Sequence, residues 1–338
     1  MKKAVFTVDE YSGANKNNAG PKAKMDIDHF LSQEGFQIVH QHFQVHSKLQ
    51  KLKDYYWTIP HLFSRTEKFD ELLFQYPTYS SFLMKRLVPK LKESTKKLYF
   101  VIHDVESLRL FTYDEEYWQG ERQLFNTADG LIVHNEKMAQ WLKDHGVETS
   151  MVSLEVFDYD NPQALNTKPG YQKQVCFAGN LEKSSFLDKV ELADGQLQIF
   201  GSHPSDHYHQ GVEYMGQFTP EELPKHLTQN FGLVWDGDVL DTCGGKYGDY
   251  MRYNNPHKIS LYLSSGLPVM IWKQAAEASF IVDNQLGIAV DSLENLDQEL
   301  ANVSEEQFAA YKGNVLKIAE KLRSGYFIKQ AVAKLEKL

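Results

Sequence analysis

Gly232-Leu233-Val234-Trp235 is an apolar run that ends on Asp236-Gly237-Asp238. About twenty residues later the chain reads Tyr253-Asn254-Asn255-Pro256-His257-Lys258, and an apolar pattern at Ile259, Leu261, Tyr262 and Leu263 stops at Gly266. A second apolar run, Leu267–Trp272, follows at once. Short apolar runs bounded by turn residues describe strands buried on both faces, and the spacing between these two is helical. Asn255 suits an N-cap and Pro256 the first helical position, where a missing N–H costs nothing. Glycine suits the C-terminal stop. The stretch therefore reads strand, long loop, helix, strand, which is the unit of a parallel sheet.

The same alternation extends in both directions. Gln174–Ala178, Leu197–Phe200 and Gly287–Val290 are further strand-like runs in the second half. In the first half Ala4–Val8, Phe36–Val39, Leu98–Ile102 and Gly130–Val133 alternate with helical patterns around Ala23–Gln33, closed by Gly35, and Asn135–His145, closed by Gly146. Met138, Trp141 and Leu142 share one face of the latter. Between the halves, Asp158–Tyr171 carries Asn161-Pro162 and Lys168-Pro169-Gly170 and reads as a linker. The tail from Ser304 is helical in period, with Ser304 and Gln307 spaced as a capping box. The expectation is an α/β protein with a first domain over 1–160, a second over 171–312, and a C-terminal helix over 313–338 packed on the first.

Composition agrees. A chain of 338 residues suggests two domains, and 42% hydrophobic with 24% charged residues is ordinary for a globular protein. Lys+Arg of 36 against Asp+Glu of 45 gives −9, which argues against a dedicated nucleic-acid binder. Cys176 and Cys243 are far apart and outside any CxxC, so neither a disulfide framework nor a four-thiolate zinc site is expected, and a reducing compartment is. No run of about 18 apolar residues exists. Met1-Lys2-Lys3 imitates a signal peptide, but the apolar run behind it stops at Asp9-Glu10. A cytoplasmic location is expected.

Several stretches bear on chemistry. The loop after Trp235 holds Gly237, Gly244, Gly245 and Gly248 with Tyr247, Tyr250 and Tyr253, and loops of that length are usually functional. A helix N-terminus is electropositive, and a lysine in its first turn opposes the dipole unless an anion meets both. Lys258 therefore marks either a diphosphate site or a side chain in solvent. Gly179-Asn180-Leu181-Glu182-Lys183 leaves another strand at its carboxyl end, where open α/β sheets bind ligands, although Gly-Asn also makes a plain turn. Asp236 and Asp238 either hold a divalent cation or anchor the loop. His103-Asp104, after Leu98–Ile102, offers a general base or a strand-end cap. The spacing of His40, His42 and His46 makes a poor metal site. The loop Tyr11–Gly20 has small residues but no GxGxxG. Phe82–Leu98, with Lys85, Arg86, Lys90, Lys92, Lys96 and Lys97 against Glu93, is either an ordinary surface helix or a peripheral membrane contact.

These runs, with Ile102-His103-Asp104-Val105-Glu106-Ser107-Leu108-Arg109, Ala128-Asp129-Gly130, Asn135-Glu136-Lys137-Met138 and Phe157-Asp158-Tyr159, resemble a bacterial family of GT-B sugar transferases. That family includes the glucosyltransferases of serine-rich-repeat adhesins and β-1,6-galactofuranosyltransferases. The resemblance implies two Rossmann-like domains facing across a cleft, with a C-terminal helix crossing back. The first domain would receive the acceptor and the second the UDP of a nucleotide sugar. It implies UDP contacts from Gly179, Asn180, Lys183 (where the family commonly has arginine), Tyr214, Tyr253, Asn254, Asn255, Pro256, His257 and Lys258, and from Gly20 in the first domain. Asp104, with His103 as rival, would be the general base. A metal-independent hexosyltransferase follows, with a UDP-sugar as donor substrate, no cofactor, a glycan or glycoprotein acceptor that is free or lipid-linked, and a homo-oligomeric state. The rivals are a non-catalytic partner subunit and a metal-dependent transferase using Asp236 and Asp238.

Overall fold

The computed structural model describes residues 1–10, 19–43, 47–63, 68–78, 80–168 and 170–338. The chain divides into two compact units, Met1–Leu154 with Ile328–Leu338, and Glu155–Phe327.

The first unit runs β1 (Lys3–Glu10), α1 (Ala19–Gln33), β2 (Gln37–Phe43), α2 (Lys48–Lys53), β3 (Phe69–Tyr76), α3 (Ser81–Glu93), β4 (Thr95–Ile102), α4 (Glu106–Arg109), α5 (Glu115–Phe125), β5 (Gly130–Val133), α6 (Glu136–Asp144) and β6 (Met151–Ser153). The strands form one parallel sheet in the order β2-β1-β3-β4-β5-β6. The runs expected from the sequence are strands here. β3 and β6 escaped the reading. In β3, Asp70, Glu71 and Gln75 interrupt the apolar run, yet Glu71 and Gln75 are buried, Glu71 beside Lys3 Nζ at 3.4 Å. Phe82–Leu98 is not one helix: α3 ends at Glu93 and the chain re-enters the sheet at Thr95. Leu83, Met84, Leu87, Val88 and Leu91 are buried, so the apolar face of α3 lies in the core and its basic face outward.

The second unit runs β7 (Gln174–Ala178), β8 (Gln196–Phe200), β9 (Val212–Gly216), β10 (Phe231–Val234), α7 (Gly245–Gly248), α8 (His257–Ser264), β11 (Val269–Trp272), α9 (Ala278–Asp283), β12 (Gly287–Val290), α10 (Leu296–Ala301) and α11 (Glu305–Arg323). Its sheet is parallel, ordered β12-β11-β10-β7-β8-β9. β9 is an edge strand with exposed residues, which explains its weak apolar signal. Two large rings, Trp235 and Trp272, are fully buried beside each other with centroids 6.4 Å apart.

Two boundaries differ from the sequence expectation. The stretch read as a linker is built into the second unit: Asp158 and Asn161 are buried, Asn161 Nδ2 donates to Ser264 and Ser265, and Asp158 Oδ1 accepts from Phe327 N. Side-chain bonds of this kind are invisible to a count of prolines and glycines. The tail also divides. α11, opened by the Ser304–Gln307 capping box, stays with the second unit, where Lys312 Nζ donates to Gly266 O and Arg323 Nε to Ser264 O. The chain turns at Gly325 (φ 72°) into α12 (Tyr326–Leu335), and only residues from Ile328 belong to the first unit. There Lys3 pairs with Glu336 at 2.6 Å and Lys329 with Glu34 at 3.1 Å.

Candidate functional site

In the second unit the turn after β7, the loop after β10 and the start of α8 meet at the carboxyl end of the sheet. Lys258 is the point of convergence. Its Nζ lies 2.7 Å from Asp236 Oδ1 and 3.4 Å from Trp235 O, and sits over the Phe177 ring at 4.6 Å. Gly179 gives the stem room: a Cβ there would lie 3.2 Å from Lys258 Cε, tighter than an ordinary contact. A lysine at the positive end of a helix is thus held by a strand-end carboxylate, with its side chain about one-fifth exposed (18%). No side chain of the described residues caps α8.

The helix begins one residue later than expected. Pro256 is the N-cap and His257 the first helical residue. Asn255 does not cap the helix: it is buried, and its Nδ2 donates to Glu155 O at 3.0 Å. The His257 ring packs against Phe157 and Tyr159, with centroids 5.9 and 5.1 Å away. Asn254 N donates to Tyr250 O, while its buried Oδ1 finds no hydrogen-bond partner among the described residues. Tyr253 follows the helical turn Asp249–Arg252 and donates its N–H to Tyr250 O. The expected long loop therefore contains α7 and that turn.

Asn180 caps the turn Leu181–Lys183, its side chain accepting from Glu182 N at 3.1 Å. Lys183 Nζ sits over the Tyr247 ring at 4.9 Å and ties that turn to the loop after β10. Tyr214, on β9, donates its hydroxyl to Gly201 O at 3.0 Å and stands further along the sheet. Asp236 and Asp238 do not act as a pair: Asp236 takes Lys258, whereas Asp238 Oδ1 accepts from Ser185 Oγ at 2.9 Å. No cluster of three His, Cys, Asp or Glu side chains suited to a metal occurs among the described residues.

In the first unit the carboxyl end of the sheet carries a buried polar network. Gln75 Nε2 is directed at Thr7 Oγ1, Lys24 O and Asp28 Oδ1, at 2.8, 3.0 and 2.8 Å. Its amide oxygen is left to accept from His103 Nε2 at 2.8 Å, so the network assigns the proton to Nε2. Asp104 Oδ2 pairs with Arg109 Nη1 at 2.7 Å. His103 and Asp104 are both half-buried at the end of β4. Gln75 and Arg109 were not anticipated as partners: Gln75 is 28 positions from His103, and Arg109, five positions from Asp104, reaches it only through the turn into α4. Of the histidine trio, His40 Nε2 lies 3.4 Å from Asp28 Oδ2, and His46 lies outside the described residues. The small-residue loop at 11–18 also lies outside them, and Gly20 is in the first turn of α1. A cavity of about 430 Å³ lies at the end of β3 between α3 and α5, lined by Tyr76, Ser80, Tyr117 and Glu121 among others.

His134 braces this edge. It is buried, and burial holds its imidazole down at about 4, outweighing its hydrogen bonding to the backbone of Ile102 and His103. A depressed histidine favours the neutral native form, so its contribution is complete above about pH 6.5 and is lost as pH falls from there towards 4. Urea unfolding followed at pH 7 and pH 5 should lose about 2 kcal/mol through this residue. His134→Asn removes that dependence. An identical pH slope in the variant assigns the acid lability elsewhere.

The chain has relatives over most of its length. Residues 6–156 match the N-terminal domain of Glucosyltransferase 3-like proteins and residues 175–335 the C-terminal domain. The chain is 32% identical over 283 residues to β-1,6-galactofuranosyltransferase WbbI of Escherichia coli (strain K12), covering 79% of each chain. It is 28% identical to Glucosyltransferase 3 of Streptococcus gordonii, over 78% of each. In fold it is similar to a DNA-modifying β-glucosyltransferase solved in the presence and absence of uridine diphosphoglucose, with TM-score 0.57, 12% identity, and 99% and 100% of the two chains covered. The fold is GT-B, with two six-stranded parallel sheets. On these matches, and on the agreement of both halves, the chain belongs to the Glucosyltransferase 3-like family of glycosyltransferases.

Proposed function

We propose that this glycosyltransferase moves a hexosyl group from a UDP-sugar to a glycan or glycoprotein acceptor, free or lipid-linked, in building bacterial cell-surface polysaccharide or glycoprotein. The observation that carries the reading is Lys258, an ammonium fixed 2.7 Å from Asp236 at the ends of β7 and β10 beside a bare Gly179. In the reaction the bond from the anomeric carbon to the diphosphate oxygen breaks and a bond to the acceptor hydroxyl oxygen forms. Negative charge then gathers on the leaving UDP. Lys258, Lys183 and the uncapped N-terminus of α8 are the groups we assign to it. The buried Oδ1 of Asn254 is an acceptor suited to a nucleoside hydroxyl. Asp104 or His103 takes the acceptor proton in this reading. Metal independence is supported by the use of Asp236 and Asp238 for Lys258 and Ser185. A homo-oligomeric state is proposed on the family likeness alone, and a cytoplasmic location on the free thiols of Cys176 and Cys243.

Thermal unfolding with a panel of nucleotide sugars tests this. UDP and at least one UDP-hexose should raise Tm, by a stabilisation of about 2.7 kcal/mol at a hundredfold excess over Kd, with EDTA making no difference. No response to any uridine diphosphate, or a response that needs manganese, overturns it.

A further inference from the structure

Leu49 (83%), Leu52 (47%), Tyr56 (70%) and Trp57 (66%) are large apolar side chains left exposed within one short stretch. α2 buries none of its residues, and the π-helical turn Asp54–Thr58 continues it. A helix this short does not persist on propensity alone. It is held by the Ser47 cap, 3.3 Å from Gln50 N, and by Asp54, whose Oδ1 accepts from Gln50 Nε2 at 3.2 Å and Thr58 Oγ1 at 2.9 Å. Asp54 is the one acid between residues 47 and 63, and it is buried. What faces out is Lys48, Lys51 and Lys53 among leucines and aromatic rings. Tyr55 stacks on Phe82 at 4.5 Å and touches Tyr56 at 4.9 Å, while Trp57 packs on His61 at 4.8 Å, so the rings are fixed in place. Through Phe82 the patch continues onto the outward side of α3, where Lys85 and Arg86 are exposed. None of these five cations pairs with a carboxylate among the described residues. In a chain of net charge −9, residues 48–57 are a cationic and apolar surface without an exposed acid; on the α3 side Glu93 is exposed, and Lys85 borders Asp114 and Glu116.

We propose that residues 48–57, with the outward side of α3, form a seat for an anionic lipid membrane. Leucine, tryptophan and tyrosine side chains set among lysines suit the boundary between acyl chains and headgroups: rings and leucines enter while ammonium groups stay with phosphates. The basic helix α3, for which a surface helix and a membrane contact were the two sequence readings, buries its own apolar face, so α2 and its π-helical turn supply the inserting side chains. The inference goes beyond the donor site and does not depend on it.

Flotation with vesicles of phosphatidylcholine, with and without phosphatidylglycerol, tests it. The full chain should float with the phosphatidylglycerol vesicles, less so as salt rises, and not with phosphatidylcholine alone. Replacing Lys48, Lys51 and Lys53 by glutamine should lower partitioning by on the order of a hundredfold, about fivefold per cation. Leu49→Ser with Trp57→Ala should lower it by at least about tenfold. Tyr113→Ala, at a fully exposed ring outside the patch (101%), should change nothing. Circular dichroism confirms folding, and an unchanged UDP titration of the Leu49→Ser/Trp57→Ala protein separates this result from any failure of the donor-site reading. Equal binding to neutral vesicles, no binding of the wild type, or variants that float like it would each overturn the proposal.

Discussion

Lys258→Ala is expected to lower kcat by on the order of a hundredfold to a thousandfold while leaving the protein folded. The side chain is not a core residue: its ammonium answers Asp236, which is itself about one-quarter exposed (26%) and regains water when the lysine goes. The second unit should therefore keep its unfolding midpoint. What is lost is the one full positive charge on α8, the helix that presents its N-terminus to the proposed diphosphate. The bared Asp236 then adds repulsion where the charge develops. Lys258→Arg should restore only part of the activity, because the ammonium fits between the Phe177 ring and Asp236 Oδ1 and a broad guanidinium does not repeat a compact ammonium. Steady-state hydrolysis of the best UDP-hexose reads both variants. An unchanged kcat in Lys258→Ala would move leaving-group stabilisation to other residues.

Gly232→Ala should strongly destabilise the second unit. Gly232 lies in β10 beneath α8, and a Cβ there would fall 2.1 Å from Cγ of the fully buried Tyr262 ring. The ring has no easy retreat, since its hydroxyl accepts from Ala178 N at 2.8 Å and so joins the helix to the end of β7. Either the ring tilts and abandons a buried N–H, or α8 lifts from the sheet. Overpacking of this kind costs about 3 kcal/mol, which urea unfolding of the second unit should show. Because α8 carries Lys258, UDP affinity should weaken as well. Tyr262→Phe separates the two effects: it orphans Ala178 N, at about 1–3 kcal/mol, without pushing the helix. A Gly232→Ala protein as stable as wild type would mean that strand and helix are less tightly packed than described.

The parallel sheets were legible because strands such as Gly130–Val133 and Val269–Trp272 are covered on both faces and read as short apolar runs. β3 was not, since its glutamate and glutamine are accommodated by Lys3 and by the Gln75 network, partners distant in sequence. At the site, the proline and lysine around residue 257 located the start of α8 to within a residue. The role of Asn255 came out differently because Glu155, a hundred positions away, supplies the acceptor its amide meets. The pairing of Lys258 with Asp236, and of Asp104 with Arg109, likewise appears only once the chain has folded. The exposed rings of Tyr56 and Trp57 carried no reading in the sequence, because only burial distinguishes a surface ring from a core one.

The central claim is that Lys258 recognises the diphosphate and not the nucleoside. Calorimetric titration of UDP and of uridine into wild type and Lys258→Ala separates these. The substitution should weaken UDP binding by tenfold or more, about 1.4 kcal/mol, and leave uridine binding unchanged. Equal weakening of both ligands, or of neither, would contradict it.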